Sequence, residues 1–144
     1  MCRGVSRPRE VTTPLDPNDA DDPFLAMTIE DVCRLAWDFH TMGTVSAREL
    51  IARTGYSTRW RSVSVGLLAD TLRAHPEWVA AWIQWSEDKR VSSGWYISRC
   101  GESAFDVGYY PTVPPVRYRD QTQACAVFVR HELASIADVG PLPE

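Results

Sequence analysis

A chain of 144 residues with 44% hydrophobic content is long enough to bury one core without staples, which predicts a single globular domain. Its formal net charge of -4 opposes the strongly basic field of a protein that lives on nucleic acid or anionic membrane, while leaving room for a local basic patch. The four cysteines, Cys2, Cys33, Cys100 and Cys125, form no Cys-x-x-Cys pair and lack the density of a disulfide scaffold, so reduced thiols in a cytoplasmic protein are expected.

No apolar run reaches the roughly 20 residues of a membrane span, and Met1 to Glu10 is not followed by a signal-peptide core. Residues 1–26 carry Pro8, Pro14, Pro17 and Pro23 with almost no periodic apolar pattern. They read as a disordered leader, ahead of a domain over 27–140 and a tail at 141–144. Between Val11 and Cys33 stand Asp16, Asp19, Asp21, Asp22, Glu30 and Asp31 without a Lys or Arg. Such an acidic block is either a solubilising segment or a contact for a basic partner.

Thr28 reads as the N-cap of a first helix carrying Val32, Leu35, Ala36 and Phe39, which Gly43 ends. Ser46-Ala-Arg-Glu49 is a capping box for a second helix running to Thr54, with Gly55 as its stop. A third helix is expected from Thr58 through Trp60, Val63, Leu67, Leu68, Thr71 and Leu72. Pro76 suits the first turn of a fourth, whose Trp78, Trp82 and Trp85 form a stripe expected to be core. The polar end, Ser86-Glu87-Asp88-Lys89-Arg90, reads as solvated surface.

Next comes a β-hairpin. Trp95 and Ile97 alternate with polar neighbours, Gly101-Glu102-Ser103 supply the turn, and Phe105, Val107 and Tyr109 resume the alternation. One face of the hairpin is therefore apolar and needs a cover. The segment after Asp120 supplies it, with Cys125, Phe128, Val129, Leu133 and Ile136 on one side of a last helix that Gly140-Pro141 closes. Pro111 to Pro115 is too proline-rich for an inner strand, so a short third strand is expected only over 116–119, at an edge. The fold class is thus α+β: N-terminal helices, then a small antiparallel sheet with a C-terminal helix packed on it.

No catalytic set is evident. The Cys and His residues show no metal-ligand spacing, His131-Glu132 lacks a second His four residues after the first, and no Gly-x-Ser-x-Gly, Gly-x-Gly-x-x-Gly or Walker pattern occurs. Cys125, on an apolar helix face, behaves as a small hydrophobe. No cofactor, metal or catalytic residue is assigned, and an enzyme with an unrecognised site stays a third reading. Val45 to Leu72 resembles a helix-turn-helix with Arg59 and Arg61 opening the would-be recognition helix, although two short structural helices joined by Gly55 give the same pattern.

The second half carries another resemblance. Ser86-Glu-Asp-Lys-Arg-Val-Ser-Ser-Gly-Trp-Tyr96, Phe105-Asp-Val-Gly-Tyr-Tyr-Pro111 and Ala124-Cys-Ala-Val-Phe-Val-Arg-His-Glu-Leu133 resemble the small immunity proteins encoded beside bacterial polymorphic or contact-dependent toxins. The similarity spans about Trp82 to Ile136. It implies a non-enzymatic, cytoplasmic protein that binds and occludes a cognate toxin domain, with DNA as partner only under the helix-turn-helix alternative and no membrane. The expected contact residues are the aromatic anchors Tyr96, Tyr110 and Tyr118, together with Glu87, Asp88, Glu102 and Asp106, which flank the hairpin and would steer a basic partner.

Overall fold

The computed structural model describes residues 23–43, 45–89, 94–139 and 142. Helix α1 (Pro23–Met42) opens with a proline, whose missing amide proton has no partner to lose in a first turn. Leu25, Ile29, Val32, Cys33, Leu35 and Ala36 form its buried stripe. This corrects the sequence reading at two points. Residues 23–26 belong to the helix rather than to the leader, the rest of which lies outside the described residues, and Thr28 is not a cap. It is interior and buried, and its hydroxyl donates to the Thr54 carbonyl at 2.7 Å. That bond fixes α1 against the end of α2.

Helix α2 (Ala47–Thr54) has the predicted limits. Ser46 Oγ accepts from the Glu49 amide at 3.1 Å, while the Glu49 carboxylate is engaged by Arg53 at 2.7 Å, one turn on. Gly55 ends the helix at φ 79°, a left-handed conformation that glycine adopts without steric cost. A Cβ there would meet Arg59 Nη1 at 2.9 Å and Thr28 Oγ1 at 3.2 Å.

The expected third helix is broken. One turn, α3 (Tyr56–Arg59), passes into a 3₁₀ turn over Trp60–Ser62, the chain extends through Val63 and Ser64, and α4 (Val65–Arg73) begins afresh. The cause is local: Ser64 Oγ accepts from the Leu67 amide at 3.2 Å, so this serine starts a helix instead of continuing one. Helix α5 (Pro76–Asp88) starts at Pro76 as expected, with Trp78, Trp82 and Trp85 all buried. Trp82 Nε1 donates to the Cys33 carbonyl at 2.9 Å and so pairs α5 with α1.

Strands β1 (Gly94–Cys100), β2 (Ala104–Tyr110) and β3 (Val113–Tyr118) form an antiparallel sheet in the order β1-β2-β3. Trp95 stands opposite Tyr109, Ile97 opposite Val107 and Arg99 opposite Phe105, so the predicted apolar face is real. Strand β3 starts earlier than the expected 116–119 and includes Pro114 and Pro115. An edge strand tolerates prolines where an inner one does not, because one side of its ladder needs no donors.

Helix α6 (Gln121–Ala137) is capped by Asp120, whose Oδ1 accepts from the Thr122 and Gln123 amides at 2.9 and 3.3 Å. It lies between the inner face of the sheet and helices α2, α4 and α5. Ala124, Cys125, Ala126, Phe128, Val129 and Leu133 are consequently buried around most of its circumference. The helix ends at Ala137, with Asp138 at φ 56°; the expected Gly140-Pro141 closure lies outside the described residues. Phe128, in the core, meets Trp82 at 6.1 Å, and Trp95, partly buried against the same core, stacks on His131 at 3.8 Å. Among the described residues no helix is long and apolar enough to cross a membrane.

Candidate functional site

At the open end of the hairpin a cleft of about 650 Å³ enters the molecule. Its walls come from the last turn of α1 (Phe39, His40), the start of α2 (Ser46, Ala47), the end of α5 (Trp85, Asp88, Lys89), the strand ends Gly94 and Tyr109, and the last third of α6 (Glu132, Ser135, Ile136). Phe39 and Trp85 meet edge to face at 4.9 Å, and Tyr109 meets Trp95 in the same manner at 5.4 Å. His40 Nε2–H donates to the Ala81 carbonyl at 3.3 Å, which orients the ring.

Glu132 is the unusual member, a carboxylate 3% exposed within the apolar core. A buried charge is tolerable only when paired and hydrogen-bonded, and here both oxygens are served. Oε2 accepts from Trp85 Nε1 at 2.8 Å and Oε1 from Lys89 Nζ at 3.0 Å. Lys89 Nζ also donates to the Trp95 carbonyl at 2.7 Å. Beside it, Ser86 Oγ donates to the Ile97 carbonyl and accepts from the Ile97 amide, both at 3.0 Å. The end of α5, expected to be solvated surface, is therefore in part a joint between α5, β1 and α6. Arg90 lies outside the described residues.

The signal for Glu132 lay in the helical spacing. It stands four residues after Phe128 and one before Leu133, inside the apolar stripe of α6. Its partner Lys89, 43 residues away, had no local signature.

The predicted contact residues do not form one surface. Tyr96 and Asp106 share the outer face of the sheet, where the Tyr96 hydroxyl is 3.0 Å from the place a Cβ of Gly108 would take. Asp106 is engaged by Arg117 Nε and Nη2 at 2.9 and 3.3 Å, and these hydrogen bonds hold its carboxyl below the usual carboxylate range. A carboxylate so paired steers a distant partner weakly. Tyr118, opposite Phe105, is on the inner face and packs against the core. Tyr110, 63% exposed, is on the outer face with Asp106, the face opposite to Tyr109, which lines the cleft. Glu87 and Asp88 are exposed at the end of α5, whereas Glu102 is exposed in the hairpin turn, about 20 Å away along strands of this length.

A surface the sequence did not single out adjoins Tyr110. Every residue from Tyr110 to Arg117 is exposed, including Val113 at 45% and Val116 at 55%; the run ends β2, turns, and from Val113 continues as the edge strand β3.

Burial pushes the Cys33 thiol up to about 12 and raises Cys125 further, so neither is a ready nucleophile. Among the described residues no group of His, Cys, Asp and Glu is placed to hold a metal ion. No known family model matches the chain, and neither curated proteins nor solved structures yield a match.

Proposed function

We propose that this chain is a non-enzymatic binding protein of the immunity type, acting in the bacterial cytoplasm, that neutralises a cognate toxin domain by occluding it. The observation that carries the reading is the exposed edge from Tyr110 to Arg117. Large apolar side chains held in the open on a proline-stiffened strand are the features of a docking surface, because burying them against a partner gains contact area at little cost in chain entropy. Pro114 and Pro115 cannot donate to an added strand, so side chains rather than ladder hydrogen bonds would make the contact.

Operator recognition through residues 45–72 has less to stand on. Arg59 and Arg61 sit on a single turn and its 3₁₀ extension, both finished by Ser62, and α4 begins only at Val65. The Arg59 guanidinium lies over the Phe24 ring at 5.4 Å and that of Arg61 over Trp60 at 4.7 Å.

Co-expression with the toxin domain encoded next to this chain tests the proposal. Val113→Asp and Val116→Asp, which leave the core untouched, should each weaken the complex roughly 30-fold or more, a hot-spot loss, and abolish rescue of growth. Rescue that survives both changes but disappears with Arg59→Ala and Arg61→Ala would move the active surface to the helical half. Nanomolar binding of promoter DNA in physiological salt would replace the reading altogether.

A further inference from the structure

The cleft below the docking edge has a chemistry of its own. Its volume of about 650 Å³ falls within the range of about 300–1,000 Å³ typical of ligand sites. Its apolar lining is aromatic and aliphatic: Phe39, Trp85, Tyr109 and Ile136. Among the described residues that line it, the charged groups are Glu132, Asp88 and Lys89, a surplus of one negative charge. Lys89 does not offset Asp88, since its ammonium is engaged by Glu132 and by the Trp95 carbonyl.

The backbone adds to the same sign. The last turns of α1 and α5 and the last third of α6 reach the cleft, and the carboxyl end of a helix carries partial negative charge. One helix start, that of α2, opposes them, and there the Ser46 hydroxyl already takes the Glu49 amide. An open cleft with Phe39, Trp85 and Tyr109 in its wall, excess negative charge and converging helix carboxyl ends favours a cation on an apolar stem. Rings attract it through their quadrupole, and the carboxylate attracts it through charge.

We infer that this cleft is a receptor for an organic cation, the guanidinium or ammonium group of a side chain that the docked partner inserts beside Tyr109. Tyr109 lines the cleft and stands opposite the exposed Val113 of β3, so a partner seated on that edge stands at the mouth of the cleft. The source of the cation rests on the binding-protein reading; the chemistry of the cleft does not.

The free protein serves as the first test, with the Trp85 indole N–H resonance as reporter and three isosteric probes, benzamidine, benzamide and benzoate. Benzamidine should shift that resonance saturably, with a Kd on the order of 1 mM as befits a fragment. Benzamide should bind at least tenfold more weakly and benzoate not at all. Asp88→Asn, on an exposed residue and with an acceptor kept for Gln84 Nε2, should weaken benzamidine at least threefold.

Equal binding of benzamide, tighter binding of benzoate, or no effect of benzamidine on Trp85 would each overturn the assignment. In the second arm, the toxin domain should shift the same resonance and displace benzamidine. A complex that forms but leaves Trp85 unmoved would overturn the partner as source and point to a free amine. Benzamidine binding without any toxin complex would leave the cleft assignment standing while the immunity reading fell.

Discussion

Replacing Lys89 with Met should destabilise the fold more than a surface lysine ever does. The Nζ–Oε1 separation is 3.0 Å, with side-chain exposures of 21% for Lys89 and 5% for Glu132. At that distance the gross attraction is roughly 5 kcal/mol with an effective dielectric constant of about 20. Desolvation of the carboxylate consumes much of this, and the partial exposure of Lys89 moderates both terms. What decides the outcome is the state of Glu132 once its partner has gone. The carboxylate would keep the Trp85 N–H but lose its charged partner in the core, and the Trp95 carbonyl would lose its donor.

The expected cost of Lys89→Met is therefore about 2–4 kcal/mol. Glu132→Gln retains an acceptor for Trp85 and removes the buried charge, so about 1–2 kcal/mol is expected. In the double variant the two losses should overlap by at least about 1 kcal/mol, because neither change then strands a charge. Urea denaturation followed by tryptophan fluorescence and by circular dichroism, with m values held in common, measures all three. A Lys89→Met cost under about 1 kcal/mol, or additivity within about 0.5 kcal/mol, would mean that the pair is solvated and refute the reasoning.

His131 stacks on Trp95, and burial, then Arg130, lowers its pKa from 6.5, so the fold prefers the neutral ring. The unfolded chain takes up the proton first as pH falls, hence stability should be level above about 6.5 and decline below it, and His131→Phe should flatten that decline in melts across pH 5 to 8; an unchanged acid slope would absolve His131. Gly55→Ala should cost about 1–3 kcal/mol by thermal melting, from the left-handed backbone and the approach to Thr28 Oγ1, and no shift in midpoint would show that the turn relaxes freely. Among the described cysteines, half-buried Cys100 should react with a thiol reagent in the native protein, whereas Cys33 and Cys125 should wait for unfolding. Fast native labelling of Cys125 would contradict the burial of α6.

What could be read from the sequence was mostly what local chemistry decides. Ser46, Gly55, Pro76 and Asp120 mark helix ends through hydrogen bonds or dihedrals within a few residues, and the hairpin announces itself by period-two alternation over Trp95–Ile97 and Phe105–Tyr109. The errors arose where a distant partner overrules a local preference. Thr28 has the chemistry of a cap, yet its hydroxyl is used on Thr54, 26 residues away. Lys89 sits in a polar run that resembles solvent-facing helix, yet the buried acid on α6 claims it. The break at Val63-Ser64 was legible in principle, since Ser64 is as good a cap as Ser46. It was masked by apolar residues that keep helical spacing across the gap.

The same division bears on where a partner would sit. Acids scattered from the end of α5 to the hairpin turn cannot act as one steering patch, and Asp106 is already matched by Arg117. The open end of the hairpin is different. There Asp88 and Tyr109 line the cleft, and Val113, opposite Tyr109, begins the exposed strand β3. Three members of the joint that holds this end together, Lys89, Glu132 and Trp85, also line the cleft. Under the proposed binding role, rigidity and recognition would share residues. Changes to Glu132 or Lys89 should weaken binding through the fold, whereas changes to Asp88, Val113 or Val116 should weaken it with stability intact, and this contrast locates the contact surface without a structure of the complex.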